Sequence, residues 1–146
     1  MIGTALSSET IHGTTVAIGG RGVVICGRSG SGKSDLGLRL IDRGGVLVSD
    51  DYTYFRRTNG QLLASAPDTI RGRIEVRGIG IVDYPAAQDV PVGLIVELDD
   101  RIERMPEPSM RRIAGIDVPR IALAGLENSA PIKVELALRM FGLGVA

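Results

Sequence analysis

Val23-Val-Ile-Cys26 runs into Gly27, Arg28, Ser29, Gly30, Ser31, Gly32, Lys33 and Ser34, and Leu36, Leu40 and Ile41 follow at helical spacing before Gly44-Gly45 and Val46-Leu-Val48. The first four residues form a short unbroken apolar run, the mark of a strand buried on both faces. The next eight match G-x-x-x-x-G-K-[ST], a phosphate-binding loop. Its glycines let the backbone turn its N–H groups inward around phosphate oxygens, its lysine reaches the β- and γ-phosphates, and its terminal hydroxyl is a ligand for Mg²⁺. A helix opening at Lys33 adds its positive end to the same spot. The spacing predicts a helix over residues 33–43, stopped by Gly44-Gly45, and a second buried strand at residues 46–48. Strand, loop, helix and strand in this order make a parallel βαβ unit with a right-handed crossover.

Outward from this unit, Thr14–Ile18 reads as a strand, Gly19–Gly22 as a turn, and residues 1–11 as a frayed arm. Asn59-Gly60, flanked by residues 52–57 and 61–64, is a strong hairpin signal because both residues tolerate positive φ. Residues 92–98 form a third apolar run, and Pro106 and Pro108 exclude a helix there. A last helix is expected after Asn128 or Ser129, with Pro131 in its first turn, Ile132, Leu136 and Met140 on one stripe, and Gly142 ending it. The fold class is α/β, a central mixed sheet with flanking helices and a hairpin-rich second half. The expected organisation is one domain over residues 1–146.

Composition narrows the function. Seventeen basic residues balance seventeen acidic ones, which disfavours a partner held by bulk charge such as nucleic acid or an anionic membrane. Only Lys33 and Lys133 are lysines. The lone Cys26 excludes an intramolecular disulfide framework, and no apolar run approaches the length of a membrane span. A cytoplasmic setting is expected. Cys26, inside the strand that feeds the loop, reads as a structural thiol.

A phosphate loop needs a carboxylate near its metal, usually at the end of a buried strand. Asp50 and Asp51 follow Val46–Ser49, seventeen and eighteen residues after Lys33, enough for one helix and a return strand. Neighbouring strand residues point to opposite sides, so the pair is expected to divide its work: one supports Mg²⁺ and the other takes a proton from an attacking hydroxyl. In residues 70–81, Arg71, Arg73 and Arg77 are planar donors suited to phosphate, Gly78 and Gly80 allow close backbone approach, and Glu75 offers a second metal ligand.

Together, His12-Gly13, Gly22-Val-Val-Ile25, the phosphate loop, Leu38–Gly44, Leu47-Val-Ser-Asp-Asp51 and Ile74-Glu-Val-Arg-Gly-Ile-Gly-Ile81 resemble the catalytic domain of bacterial HPr kinase/phosphorylase. The resemblance implies a P-loop fold akin to that of phosphoenolpyruvate carboxykinase, ATP and Mg²⁺ as cofactors, and phosphorylation of a serine on the phosphocarrier HPr or a related nitrogen-branch carrier. It further implies that Asp51 is the base, that Asp50 assists at a metal held with Ser34 and Glu75, and that His12 lies near the phosphate. Arg104 matches the family's downstream catalytic arginine, with Arg101 as the fallback. A homo-oligomer, a hexamer in the family, and a catalytic domain without the family's long N-terminal domain are also implied. Residues 122–130 replace a basic loop linked in the family to phosphorolysis and carry no Arg or Lys, which puts that reverse reaction in question. Two other readings of the same residues are a small-molecule kinase or NTPase, with Arg111-Arg112 as a lid, and an ATP-sensing interaction module without transfer.

Overall fold

In the computed structural model, residues 7–144 are described. Ten strands and two helices follow one another as β1 (Ser8–Ile18), β2 (Arg21–Cys26), α1 (Lys33–Asp42), β3 (Val46–Ser49), β4 (Tyr52–Thr58), β5 (Gln61–Ser65), β6 (Arg73–Val76), β7 (Gly80–Asp83), β8 (Val90–Glu97), β9 (Ser109–Ile113), β10 (Ile116–Ala122) and α2 (Ala130–Phe141). Eight strands share one mixed sheet, and β6 and β7 form a separate two-stranded sheet.

β1 is long enough to serve two neighbourhoods. Its first half, Ser8–His12, pairs with β4, and its second half lies between β2 and β3, antiparallel to both. β2 and β3 therefore run in the same direction, as the βαβ reading requires, with β1 between them. β8 lies parallel to both β2 and β10, so Cys26, Glu97 and Ala122 end three parallel strands side by side. Ligands of open α/β sheets bind outside such carboxyl ends.

The apolar runs are unbroken because the strands are buried on both faces. Val23 and Ile25 of β2 and Leu94 and Val96 of β8 pack against Leu36 and Leu40 of α1 and Val134 and Leu138 of α2. Val24, Cys26 and Ile95 face the other way, onto Phe55, Leu62 and Ala64 of the β4–β5 hairpin. That hairpin turns at Asn59 and Gly60, whose φ values are 51° and 77°.

Two local expectations are corrected, and the face of α2, which the sequence leaves open, is settled. The arm is not frayed from residue 8 onward: Ser8–Ile11 belong to β1, Ile11 packs on the core, and Glu9 accepts the Ala114 amide at 3.0 Å. Residues 1–6 lie outside the described residues. Of the Gly19–Gly22 turn only Gly19-Gly20 turns, and Arg21 and Gly22 already pair in β2. On α2 the stripe of Ile132, Leu136 and Met140 faces outward, whereas Ala130, Val134, Ala137 and Leu138 are buried. The helix lies so close to β8 that a Cβ on Gly93 would stand 3.0 Å from Leu138 Cδ1, so the glycine makes room for the buried Leu138. No helix among the described residues is long and apolar enough to cross a membrane.

Candidate active site

The loop after β2 turns on glycines. Gly30 and Gly32 have φ of 83° and 98°, a region that L side chains rarely adopt, and Gly32 is the N-cap of α1. Lys33, buried, folds back along the loop and donates from Nζ to the carbonyls of Gly27 at 2.8 Å and Arg28 at 2.9 Å. Arg28 is held in turn by Asp99, just past the end of β8, which accepts its backbone N–H at 2.5 Å. Ser31 Oγ is buried inside the loop, 2.6 Å from where a Cβ on Gly27 would stand.

Asp50 is buried against this loop. Its Oδ1 accepts Ser34 Oγ at 2.6 Å and Thr14 Oγ1 at 2.9 Å, and its Oδ2 accepts the Glu75 amide at 3.1 Å. Asp51 turns the other way. It has φ of 70°, and Tyr52 N donates to Asp50 O at 2.8 Å across it, so it sits at the centre of a positive-φ γ-turn, the rare and strained form. Its Oδ1 lies 2.9 Å from His12 Nε2, which must carry a proton and donate because a carboxylate only accepts. The base of this arrangement is a buried hydroxyl chain. Thr53 Oγ1 donates to Gly13 O at 3.0 Å and so accepts from Thr15 Oγ1 at 2.8 Å, fixing β1 where it leaves β4.

A cleft of about 460 Å³ gathers these elements. Ser29, Gly30, Gly32, Lys33 and Ser34 form one wall, and His12 and Asp51 another. Glu75 and Arg77, on the β6–β7 hairpin, complete it with Leu126 from the segment before α2. Gly27, Arg28 and Ser31 shape the loop without lining the cleft, and Asp50 stands behind Ser34. Gly78 and Gly80 are exposed in the β6–β7 turn, with φ of 87° and 122°. Arg104 is exposed in the 98–108 segment and does not line the cleft, and Arg101 lines a separate depression of about 740 Å³ with Asp100, Glu107 and Arg120.

Two contributors carry little sequence signal. Thr14 reads as an ordinary strand residue, yet its hydroxyl orients Asp50. Leu126, 70% exposed, has its Cδ2 2.8 Å from where a Cβ on Gly32 would stand. Its segment is held by Arg39 of α1, whose guanidinium donates to the carbonyls of Gly125 and Glu127.

The donor set fits a hard divalent cation bound with a nucleotide. Ser34 and Asp50 present hydroxyl and carboxylate oxygens together, and Glu75 adds a carboxylate on the cleft wall. Among the described residues no three His, Cys, Asp or Glu side chains gather. Mg²⁺ suits such a site, because it takes one or two carboxylates and completes its shell with phosphate and water.

Cys26 closes the strand beneath the loop. Burial, reinforced by nearby Glu97, pushes its thiol up to about 11, and Arg111, 3.6 Å from Sγ, offsets only part of this. The native protein is expected to resist iodoacetamide at pH 8 and to alkylate fully in denaturant. Between the ordinary value of 9.0 and about 11, the unfolded chain loses a proton that the folded chain keeps, so stability should fall as pH rises through that window. Chemical denaturation at pH 8 and pH 10.5 measures the difference; rapid native alkylation would contradict the burial.

Residues 4–124 match the model of the family described as HPr Serine kinase C-terminal domain. An HPr kinase/phosphorylase of Leptothrix cholodnii is 37% identical over 144 residues, covering 88% of this chain and 44% of that protein. One of Clostridium tetani is 39% identical over 102 residues, 64% of this chain and 33% of that protein. The chain thus spans less than half the length of the curated relatives it matches. Among solved structures, the HPr(Ser) kinase/phosphatase of Coxiella burnetii superposes with a TM-score of 0.79 at 32% identity, covering 90% of this chain and 88% of that one.

Proposed function

The chain belongs to the HPr serine kinase C-terminal domain family, and from that premise we propose that it is an ATP- and Mg²⁺-dependent protein-serine kinase acting in the cytoplasm on HPr or a related nitrogen-branch phosphocarrier. One observation carries the reading: both aspartates of the β3 end reach the phosphate loop's surroundings with different partners. Asp50 is bonded to Ser34, and Asp51 stands on the cleft wall with His12. The continuous sheet of the described residues supports one catalytic domain. The outward stripe of Ile132, Leu136 and Met140 supports a homo-oligomer.

In this reading Lys33 and the loop amides bind the phosphates of ATP. Ser34, Asp50 and Glu75 hold Mg²⁺, which supplies charge neutralisation to the phosphate oxygens when bound. Asp51, oriented by His12, accepts the proton of the carrier's serine hydroxyl while that oxygen bonds to the γ-phosphorus and the bond to ADP breaks. Arg77, the arginine on the cleft wall, offsets charge on the transferred group. The role implied for Arg104 would require the 98–108 segment to approach the cleft.

The reverse reaction is expected to be weak. The segment beside the loop offers Leu126 to the cleft, and the arginine beneath it, Arg39, is bonded to backbone carbonyls and to Asp35. Free phosphate finds no cation in that segment to capture it. Incubation with ATP, Mg²⁺ and purified phosphocarriers, followed by mass spectrometry, should place one phosphate on one serine, and added inorganic phosphate should remove it slowly or not at all. Tight ATP binding without transfer to any carrier would mark a sensing module instead, and transfer to a small acceptor alone would mark a small-molecule kinase.

A further inference from the structure

His12 and Tyr52 are directly opposite one another in the antiparallel pairing of β1 with β4, at the end of the ladder nearest the cleft. Residues so placed share a face of the sheet, and their side chains meet. Here the two rings stack, with centroids 5.0 Å apart and planes inclined by 29°. The imidazole then reaches Asp51 Oδ1 with Nε2 at 2.9 Å. The Asp51 side chain is 61% exposed and that of His12 is 38% exposed, so packing alone holds neither. An exposed carboxylate otherwise samples several rotamers. The surrounding backbone is pinned independently of the Tyr52 ring: Gly13 N donates to Asp51 O at 2.8 Å, and Ser49 Oγ donates to Tyr52 O. The Tyr52 ring covers the imidazole, and the backbone bonds of Gly13, Asp51 and Tyr52 do not pass through that ring.

We propose that Tyr52 is a positioning residue for phosphotransfer, its ring clamping His12 so that Nε2–H holds one oxygen of Asp51 and leaves the other for the serine hydroxyl. This rests on the kinase reading above. The role needs an aromatic face and not the phenol hydroxyl, so Phe should replace Tyr and an aliphatic residue should not.

The chain has a single histidine, so an untagged sample gives one pair of imidazole C–H resonances. In wild type and Tyr52→Phe these should lie upfield of their position in Tyr52→Leu, where the ring current is lost. In transfer to a phosphocarrier, Tyr52→Leu should lower kcat about tenfold, with KM for ATP and carrier unchanged. Tyr52→Phe should restore the rate, and Tyr52→Leu should add nothing in a His12→Ala background. Histidine resonances that ignore Tyr52→Leu would overturn the stack. Full activity of Tyr52→Leu with shifted resonances would overturn the positioning role. A wild-type chain that transfers no phosphate, yet whose resonances respond, would instead mark failure of the kinase reading.

Discussion

Asp51→Asn is expected to lower kcat for transfer to the carrier serine by about 10²–10⁴, the range lost when a general base is removed, with ATP affinity unchanged. The two effects separate because the Asp51 carboxylate bonds to His12 and not to the phosphate loop. Asn is the informative replacement. Asp51 has φ of 70°, which Asn adopts more readily than Ala, so Asn keeps the γ-turn while removing the proton acceptor. Asp51→Ala would mix lost chemistry with backbone strain. The same substitution at Asp50 would not be clean either, since Asp50 is buried and accepts from Ser34, Thr14 and Glu75. Single-turnover transfer and calorimetric ATP titration make the comparison. Wild-type kcat in Asp51→Asn would remove Asp51 from the role of base.

Sequence was most informative where one residue type is compulsory. The phosphate loop needs glycines and one lysine, the hairpin at Asn59-Gly60 needs positive φ, and a doubly buried strand needs an unbroken apolar run. Each was readable because few other residues satisfy the constraint. The α2 face was not, since residues 130, 134, 137 and 138 and residues 132, 136 and 140 both repeat at helical spacing; the packing of the first set on β2, β8 and α1 decides between them. The turn at Ala114-Gly115, joining β9 to β10, was silent because Ala is an unusual occupant of positive φ, here 46°. In the site, the sequence separates Asp50 from Asp51 by strand alternation, but the separation is achieved by the γ-turn at Asp51. It also groups Glu75 and Arg77 with Gly78 and Gly80. The hairpin brings the two charged residues to the cleft and uses the glycines to turn. Arg104 depends on a segment without strand or helix, where spacing along the chain constrains position in space least.

Lys33→Met should abolish detectable transfer and weaken ATP binding, a loss of at least about a hundredfold in kcat/KM for removal of a preorganised phosphate donor. The lysine has two tasks. Toward the cleft it is the one cation on the loop's own wall; toward the protein it donates to the Gly27 and Arg28 carbonyls. Met preserves the apolar stem and removes both. The carbonyls then lose charged donors in a part-buried setting, which should cost about 1–3 kcal/mol of stability, because each carbonyl must find water or remain unsatisfied. Lys33→Arg should not rescue transfer: the planar guanidinium is longer, and its forked donors do not match two carbonyls and a phosphate from one buried point. Thermal unfolding with and without ATP and Mg²⁺ separates the tasks. Wild type should gain stability with ligand, whereas Lys33→Met should start lower and gain almost nothing. A variant that starts lower and still gains fully would leave Lys33 as a brace for the loop and place phosphate recognition on the amides of residues 29–34.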